Sequence, residues 1–264
     1  MKLVIKNVLK WFNANKSSPG RLPNRASAVP DNTRVYAVGD IHGERELLEA
    51  LYEMIEQDAK SILETGGTAV VVHLGDYIDR GSDSRGVVDR LMTPLNGCER
   101  RFLLGNHEMA LLRFLAAPET GVEWLRYGGA ETLASYGVAP SLGDEARMRR
   151  LAAALRERMP QRHRAFFEKL EPYVVIGDYA FVHAGIMPGA PLERQSLDDL
   201  LWMREPFLSS SAWHGRVIVH GHTITDAPED HFNRIGVDTG AYASGVLTCV
   251  ALEGAERRFI AAVG

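Results

Sequence analysis

The chain has 264 residues, 45% hydrophobic and 24% charged, a composition ordinary for a soluble globular protein with one substantial core. Residues 1–30 carry Lys2, Lys6, Lys10, Lys16, Arg21 and Arg25 and no acid, so the remaining 24 basic residues face all 34 acids and the body carries about −10. An acidic body argues against a nucleic-acid surface, which needs a basic stripe, and the lack of an apolar run of about 18 residues argues against a membrane span.

In chain order, the first twelve residues alternate lysines with Leu3, Val4, Ile5, Val8, Leu9, Trp11 and Phe12. Two readings stand: a basic amphipathic helix with weak contact to a membrane surface or a partner, or a helix folded back over the core. A Pro-, Asn- and Ser-containing linker follows, so residues 1–30 read as a basic N-terminal extension and residues 31–264 as a single domain. Val35–Val38 predicts a strand that ends in Gly39-Asp40-Ile41-His42-Gly43. Glu44 to Glu64 has Leu47, Leu48, Leu51, Ile55 and Ile62 near helical spacing. A second strand, Ala69–Leu74, ends in Gly75-Asp76-Tyr77-Ile78-Asp79-Arg80-Gly81, and Asp83 to Leu95 follows as a helix. A third, Arg101–Leu104, ends in Gly105-Asn106-His107-Glu108. Residues 107–171 look helical and predict a cap inserted beside the site. The later strands are expected at Tyr173–Ile176, Tyr179–His183, Arg216–His220, Val246–Leu252 and Arg257–Ala262. Strands alternating with helices imply a parallel core sheet, with ligands at its carboxyl ends.

Two later blocks repeat the design, Phe181-Val182-His183-Ala184-Gly185 and Val217-Ile218-Val219-His220-Gly221-His222-Thr223. Five strand ends thus deliver Asp, His or Asn to one edge. Carboxylate, amide oxygen and imidazole are the ligands that Mn²⁺, Fe²⁺ or Zn²⁺ accept. Two such ions about 3.5–4 Å apart clamp a phosphoryl group and acidify a bridging water. None of the five blocks contains a cysteine.

The ordered set of blocks resembles the phosphoprotein-phosphatase (PPP) branch of the metallophosphoesterases. It is most similar to the bacterial and phage lambda-type serine/threonine phosphatases and the related symmetrical diadenosine-tetraphosphate hydrolases. The resemblance runs from about Arg34 to Ala262 and implies a four-layer α/β/β/α sandwich. It implies one metal held by Asp40, His42 and Asp76 and a second held by Asp76, Asn106, His183 and His222. Manganese is the expected ion at both, with iron or zinc as alternatives. His220, two positions before His222 on the same strand face, is expected to stand behind the ligands. The resemblance further implies His107 as general acid, Asp79 as its carboxylate partner, and Arg80 and Arg204 as phosphate clamps. The implied reaction is direct hydrolysis by a metal-bridging hydroxide, without a phosphoenzyme.

Other polar residues have plainer readings. His73, His163, His214 and His231 are expected to have no catalytic role; Asp238-Thr239-Gly240 resembles a segment of that family near the end of the sheet and is expected to form a structural turn. Cys98 and Cys249 suggest no disulfide framework, and with no signal-peptide pattern the expected location is the cytoplasm. The expected substrate is a phosphoprotein or a phosphorylated small molecule. Phosphoserine and phosphothreonine come first; dinucleoside polyphosphates are the alternative, with Trp124, Arg126 and Tyr127 available to stack a base, though they equally suit packing within the cap. A fold that had lost catalysis would not keep every ligand together with His107.

Overall fold

The computed structural model describes residues 26–264; the basic amphipathic segment expected at residues 1–12 lies outside them. Chain order begins β1 (Thr33–Val38), α1 (Arg45–Glu64), β2 (Thr68–His73), α2 (Ser84–Met92), β3 (Cys98–Phe102) and α3 (Asn106–Ala116). Helices α4 (Gly121–Trp124), α5 (Ala130–Ser135), α6 (Glu145–Arg158) and α7 (Gln161–Phe167) follow. Then come β4 (Tyr173–Ile176), β5 (Tyr179–Val182), α8 (Leu197–Trp202), β6 (Val217–His220), β7 (Glu229–Asp230), β8 (Arg234–Gly236), α9 (Ala241–Ser244), β9 (Val246–Glu253) and β10 (Glu256–Val263).

Two five-stranded sheets form, in the orders β10-β9-β1-β2-β3 and β4-β5-β6-β8-β7. Both are mixed. Strands β1, β2 and β3 run parallel, as do β5, β6 and β8, while β9 and β10 join the first sheet antiparallel. The expected parallel run is therefore present but is only part of each sheet.

Alternation along each strand sorts the side chains into layers. Val35, Ala37, Val70 and Val72 meet Tyr179, Phe181, Val217, Val219 and Ile235 of the second sheet in one buried core. Tyr36, Val38, Ala69 and Val71, facing the other way, pack under Leu48, Leu51 and Ile55 of α1 and Val87, Val88 and Leu91 of α2. Ala180, Val182 and Ile218 pack against Leu200, Met203 and Phe207. Three apolar cores between four layers make the α/β/β/α sandwich. The helices after α3 add Trp124, Leu133, Met148, Leu151 and Phe167 to the α1–α2 core. The insertion thus shares a core with the outer helical layer.

Some boundaries differ from expectation. Strand β3 lies earlier, at Cys98–Phe102, with partly exposed residues alternating with exposed ones. It is an edge strand whose charged Glu99-Arg100-Arg101 hides its pattern; Leu103 makes only an isolated bridge to Glu171. Strands β7 and β8 are two and three residues long, too short to show a period. Among the described residues no helix is long and apolar enough to cross a membrane.

Candidate active site

The carboxyl ends of the two parallel runs meet. Asp40 and His42 follow β1, Asp76 to Arg80 follow β2, and Asn106 and His107 open α3 after β3; His183 follows β5 and His222 follows β6. The loops are tied backbone to backbone. Ile41 and His42 both donate to the Asp76 carbonyl at 3.0 and 2.9 Å, and Gly221 donates to the His183 carbonyl at 2.8 Å. Two glycines are required by close approach. A Cβ at Gly221 would stand 2.1 Å from Asp40 Oδ1, and one at Gly105 would stand 2.2 Å from Asp76 Oδ1.

Six non-glycine residues among those described have positive φ, and five are at this edge: His42 (45°), Asp76 (51°), Asp79 (72°), Arg80 (68°) and His222 (62°). Left-handed backbone costs an L-residue about 1–2 kcal/mol. It persists only where the surroundings over-determine it, as they do at functional sites. Part of that surrounding is Glu108, which is fully buried. Its carboxylate accepts from the backbone N–H groups of Asp76 and Tyr77, both at 2.8 Å, of Gly105 at 3.1 Å and of Ile78 at 3.3 Å. Burial, with Asp76 nearby, pushes Glu108 up to about 8.

Asp76 sits at the centre. Its Oδ2 lies 3.6 Å from His42 Nε2 and 3.8 Å from His107 Nε2, and its Oδ1 lies 3.4 Å from His183 Nε2. Two groups result in which all donor atoms lie within 4.8 Å of one another: His42–Asp76–His107 and Asp76–His183–His222. Asp40 stands outside these tight groups. Its carboxylate accepts the His222 N–H at 3.1–3.2 Å and lines the same cavity. That cavity has a volume of about 240 Å³ and is also lined by His42, Asp76, Arg80, Arg204 and His222.

The hydrogen bonds test whether these residues suit a cation. His42 Nδ1 and His183 Nδ1 each donate to a carbonyl, of Ile78 and Leu74, both at 2.8 Å. In a neutral ring that fixes the tautomer and leaves a lone pair on Nε2. Burial holds His42 and His222 down at about 3 and lowers His183 as well, so all three favour the neutral, ligating form. His183 Nε2 then faces the Asn106 Oδ1 acceptor at 2.8 Å as well as Asp76 Oδ1. Among the described residues His222 Nε2 is buried without a partner. Convergent acceptors without a donor are what a divalent ion binds, and the donor set of His42, Asp76, Asn106, His183 and His222 suits such an ion.

His107 is different. Its Nδ1 donates to Asp79 Oδ2 at 2.6 Å, leaving Nε2 3.8 Å from Asp76 Oδ2 and 3.4 Å from Arg80 Nη2, two residues that line the cavity. Burial pushes this imidazole down, but Asp76 and Asp79 outweigh it and raise it to about 9, the protonated form at neutral pH. Arg204 is exposed at the cavity wall. The Arg80 guanidinium lies 4.7 Å over the Tyr242 ring.

The sequence reading missed several contributors. Glu108 belongs to a recognised block but carries no sign of its backbone role. Asp238 does form the expected turn, accepting from Gly240 N–H at 2.9 Å, yet it also lines the cavity. Burial, with Asp76 nearby, pushes it up to about 6; Asp40 is pushed well above its ordinary range by burial, Asp238 and Asp76. The signal was present: Val237-Asp238-Thr239-Gly240 repeats the strand-end design after β8. Trp124, which suited either base stacking or packing within the cap, is 3% exposed in the core and donates its indole N–H to Asp79. His73 and His163 are buried partners of Tyr52 (2.6 Å) and Tyr136 (2.8 Å).

The two imidazoles of the last block separate by position. His220 Nδ1 donates to the Gly221 carbonyl at 3.1 Å and its ring packs against Phe207 at 5.1 Å, outside both donor groups. His222→Ala should therefore lose bound metal and turnover. His220→Ala should keep at least roughly a tenth of each, the milder end of losses seen behind metal ligands. Elemental analysis alongside turnover checks this, and the reverse ranking would move the ligand two residues back.

Comparisons with known proteins bear on the fold and the family. Shewanella-like protein phosphatase 2 of Arabidopsis thaliana is 28% identical over 183 residues, covering 58% of this chain and 46% of that protein. The chain thus spans about half the length of that relative. A solved structure of a putative diadenosine tetraphosphatase superposes with a TM-score of 0.60 at 24% identity, covering 90% of this chain and 98% of the other. A cold-active protein tyrosine phosphatase gives 0.53 at 18% identity, with 88% and 81% covered. The family model for calcineurin-like phosphoesterases matches residues 33–241, from the first residue of β1 to the first of α9, and so takes in every loop described above: the chain belongs to that family.

Proposed function

We propose that this metal-dependent phosphoesterase is a phosphomonoesterase acting on phosphoserine and phosphothreonine in proteins. The observation that carries this is the His107–Asp79 pair, an imidazole held protonated with Nε2 beside Asp76 and Arg80 of the cavity wall. A serine or threonine alkoxide is a poor leaving group and needs that proton; a phenolate needs it far less.

The remaining roles follow. Asp40, His42 and Asp76 would hold one divalent ion, and Asp76, Asn106, His183 and His222 a second. When bound, such a pair supplies charge neutralisation at the phosphoryl oxygens and an acidified water. Manganese is proposed for both; iron and zinc suit the same donors. Arg80 and Arg204 converge on the cavity and would clamp phosphoryl oxygens, Arg80 with its plane steadied by Tyr242. His107 Nε2 gives its proton to the departing oxygen, and Asp79 keeps that ring aimed. Free Cys98 and Cys249 fit a reducing compartment such as the cytoplasm.

Exposed rings favour a second reading, hydrolysis of dinucleoside polyphosphates. Trp202 is 48% exposed, with its ring 6.0 Å from that of His222, and Tyr242 is 37% exposed, with its ring 5.4 Å from that of His42. Either offers a face to a base. The test is a panel: protein with Mn²⁺, given a phosphoserine peptide, a phosphotyrosine peptide, diadenosine tetraphosphate and p-nitrophenyl phosphate. The highest kcat/KM is expected on the phosphoserine peptide. A preference for diadenosine tetraphosphate with two equal products would move the assignment to the second reading.

A further inference from the structure

The helical insertion touches the reacting end of the site through two side chains. Asp79 is fully buried, and its carboxylate accepts three bonds. On Oδ2 they come from His107 Nδ1 at 2.6 Å and Trp124 Nε1 at 2.8 Å; on Oδ1, from the Thr132 hydroxyl at 2.6 Å. The Thr132 hydroxyl has one proton, and Asp79 takes it. The same oxygen therefore accepts from the Asp79 N–H at 2.9 Å and from the Ser84 hydroxyl at 2.9 Å. The next amide, of Arg80, donates to the Gly128 carbonyl at 3.2 Å. The left-handed Asp79–Arg80 pair is thus enclosed by residues 124–132 of the insertion.

A carboxylate turns easily about its last torsion, whose energy wells are broad. Separate donors on its two oxygens fix its plane. The imidazole bound to one of those oxygens inherits that plane, and with it the direction of Nε2. Neither Trp124 nor Thr132 lines the cavity or belongs to either tight donor group. Their reach into the site is through Asp79.

We infer that Trp124 and Thr132 are positioning residues for the acid: together they fix the Asp79 carboxylate and so aim His107 at the leaving group. This rests on the reading of His107 as general acid, and it assigns the insertion a part in catalysis. Trp124 also packs on Phe114, with ring centroids 4.9 Å apart, so Trp124→Phe keeps an aromatic ring there while deleting the donor. Thr132→Val deletes the hydroxyl at nearly constant shape, and Thr132→Ser retains it.

The experiment measures kcat/KM of the Mn²⁺-loaded protein over phosphate monoesters from p-nitrophenyl to alkyl. Wild type, His107→Asn, Trp124→Phe, Thr132→Val and Thr132→Ser are compared, each first shown to be folded by circular dichroism and melting. Trp124→Phe and Thr132→Val should lose about tenfold on the alkyl ester and less than about threefold on p-nitrophenyl phosphate, a fraction of the acid's own effect. Thr132→Ser should restore the wild-type slope. If the losses are equal across the series, or Ser is as harmful as Val, the two residues act only on folding and the inference is overturned. A His107→Asn series parallel to wild type would instead remove the acid reading, and the inference with it.

Discussion

Asp76→Asn should lower kcat by about 10³-fold or more while the protein still folds. Asp76 is 2% exposed and presents one oxygen to each donor group, Oδ2 toward His42 and Oδ1 toward His183. The amide keeps nearly the same shape and one oxygen, enough to accept the His107 N–H that Asp76 Oδ1 takes at 3.0 Å. It loses the charge and the second acceptor. Metal-supplied charge stabilisation is worth several kcal/mol, and about 1.4 kcal/mol is tenfold in rate, which sets the expected loss. Elemental analysis, a melting curve and turnover on one preparation measure it. Two metals per chain with undiminished turnover would show that Asp76 bridges nothing.

His107→Asn should depend on what is leaving. The loss should be roughly 10²–10⁴-fold on a phosphoserine peptide, the usual worth of a general acid, and clearly less on p-nitrophenyl phosphate. Asp79→Asn should follow the same pattern more weakly, because it aims the imidazole and does not supply the proton. With chemistry shown to limit the rate, equal losses on both esters would assign His107 to the phosphoryl oxygens instead.

Much of this edge could be read from the chain because each block pairs an apolar run with glycine and a short polar residue. Val35–Val38 and Ala69–Leu74 are buried on both faces, so their ends are plain in the sequence. Cys98–Phe102 is different: Glu99 and Arg101 point to solvent at a sheet edge, and only its Arg101–Phe102 end reads as strand. Strand β8 is only three residues long, which is why Asp238 passed as a turn alone. Glu108 and Trp124 act through partners at least 30 residues away in sequence, for Tyr77, Ile78 and Asp79, and no local pattern encodes such a bond. The substrate is least legible, since Trp202 and Tyr242 acquire meaning only once the fold brings their rings beside His222 and His42.

The five left-handed residues have a consequence for how such a protein changes over time. Folded domains keep only about 5–15 kcal/mol in hand, so several positions at about 1–2 kcal/mol each are a lasting burden. A lineage released from selection on activity, but still selected to fold, would drift first at His42, Asp76, Asp79, Arg80 and His222. Glycine and asparagine would be favoured there, since both tolerate that backbone. The sandwich would outlast the chemistry, and the decay would begin at the strand ends and leave the three cores intact.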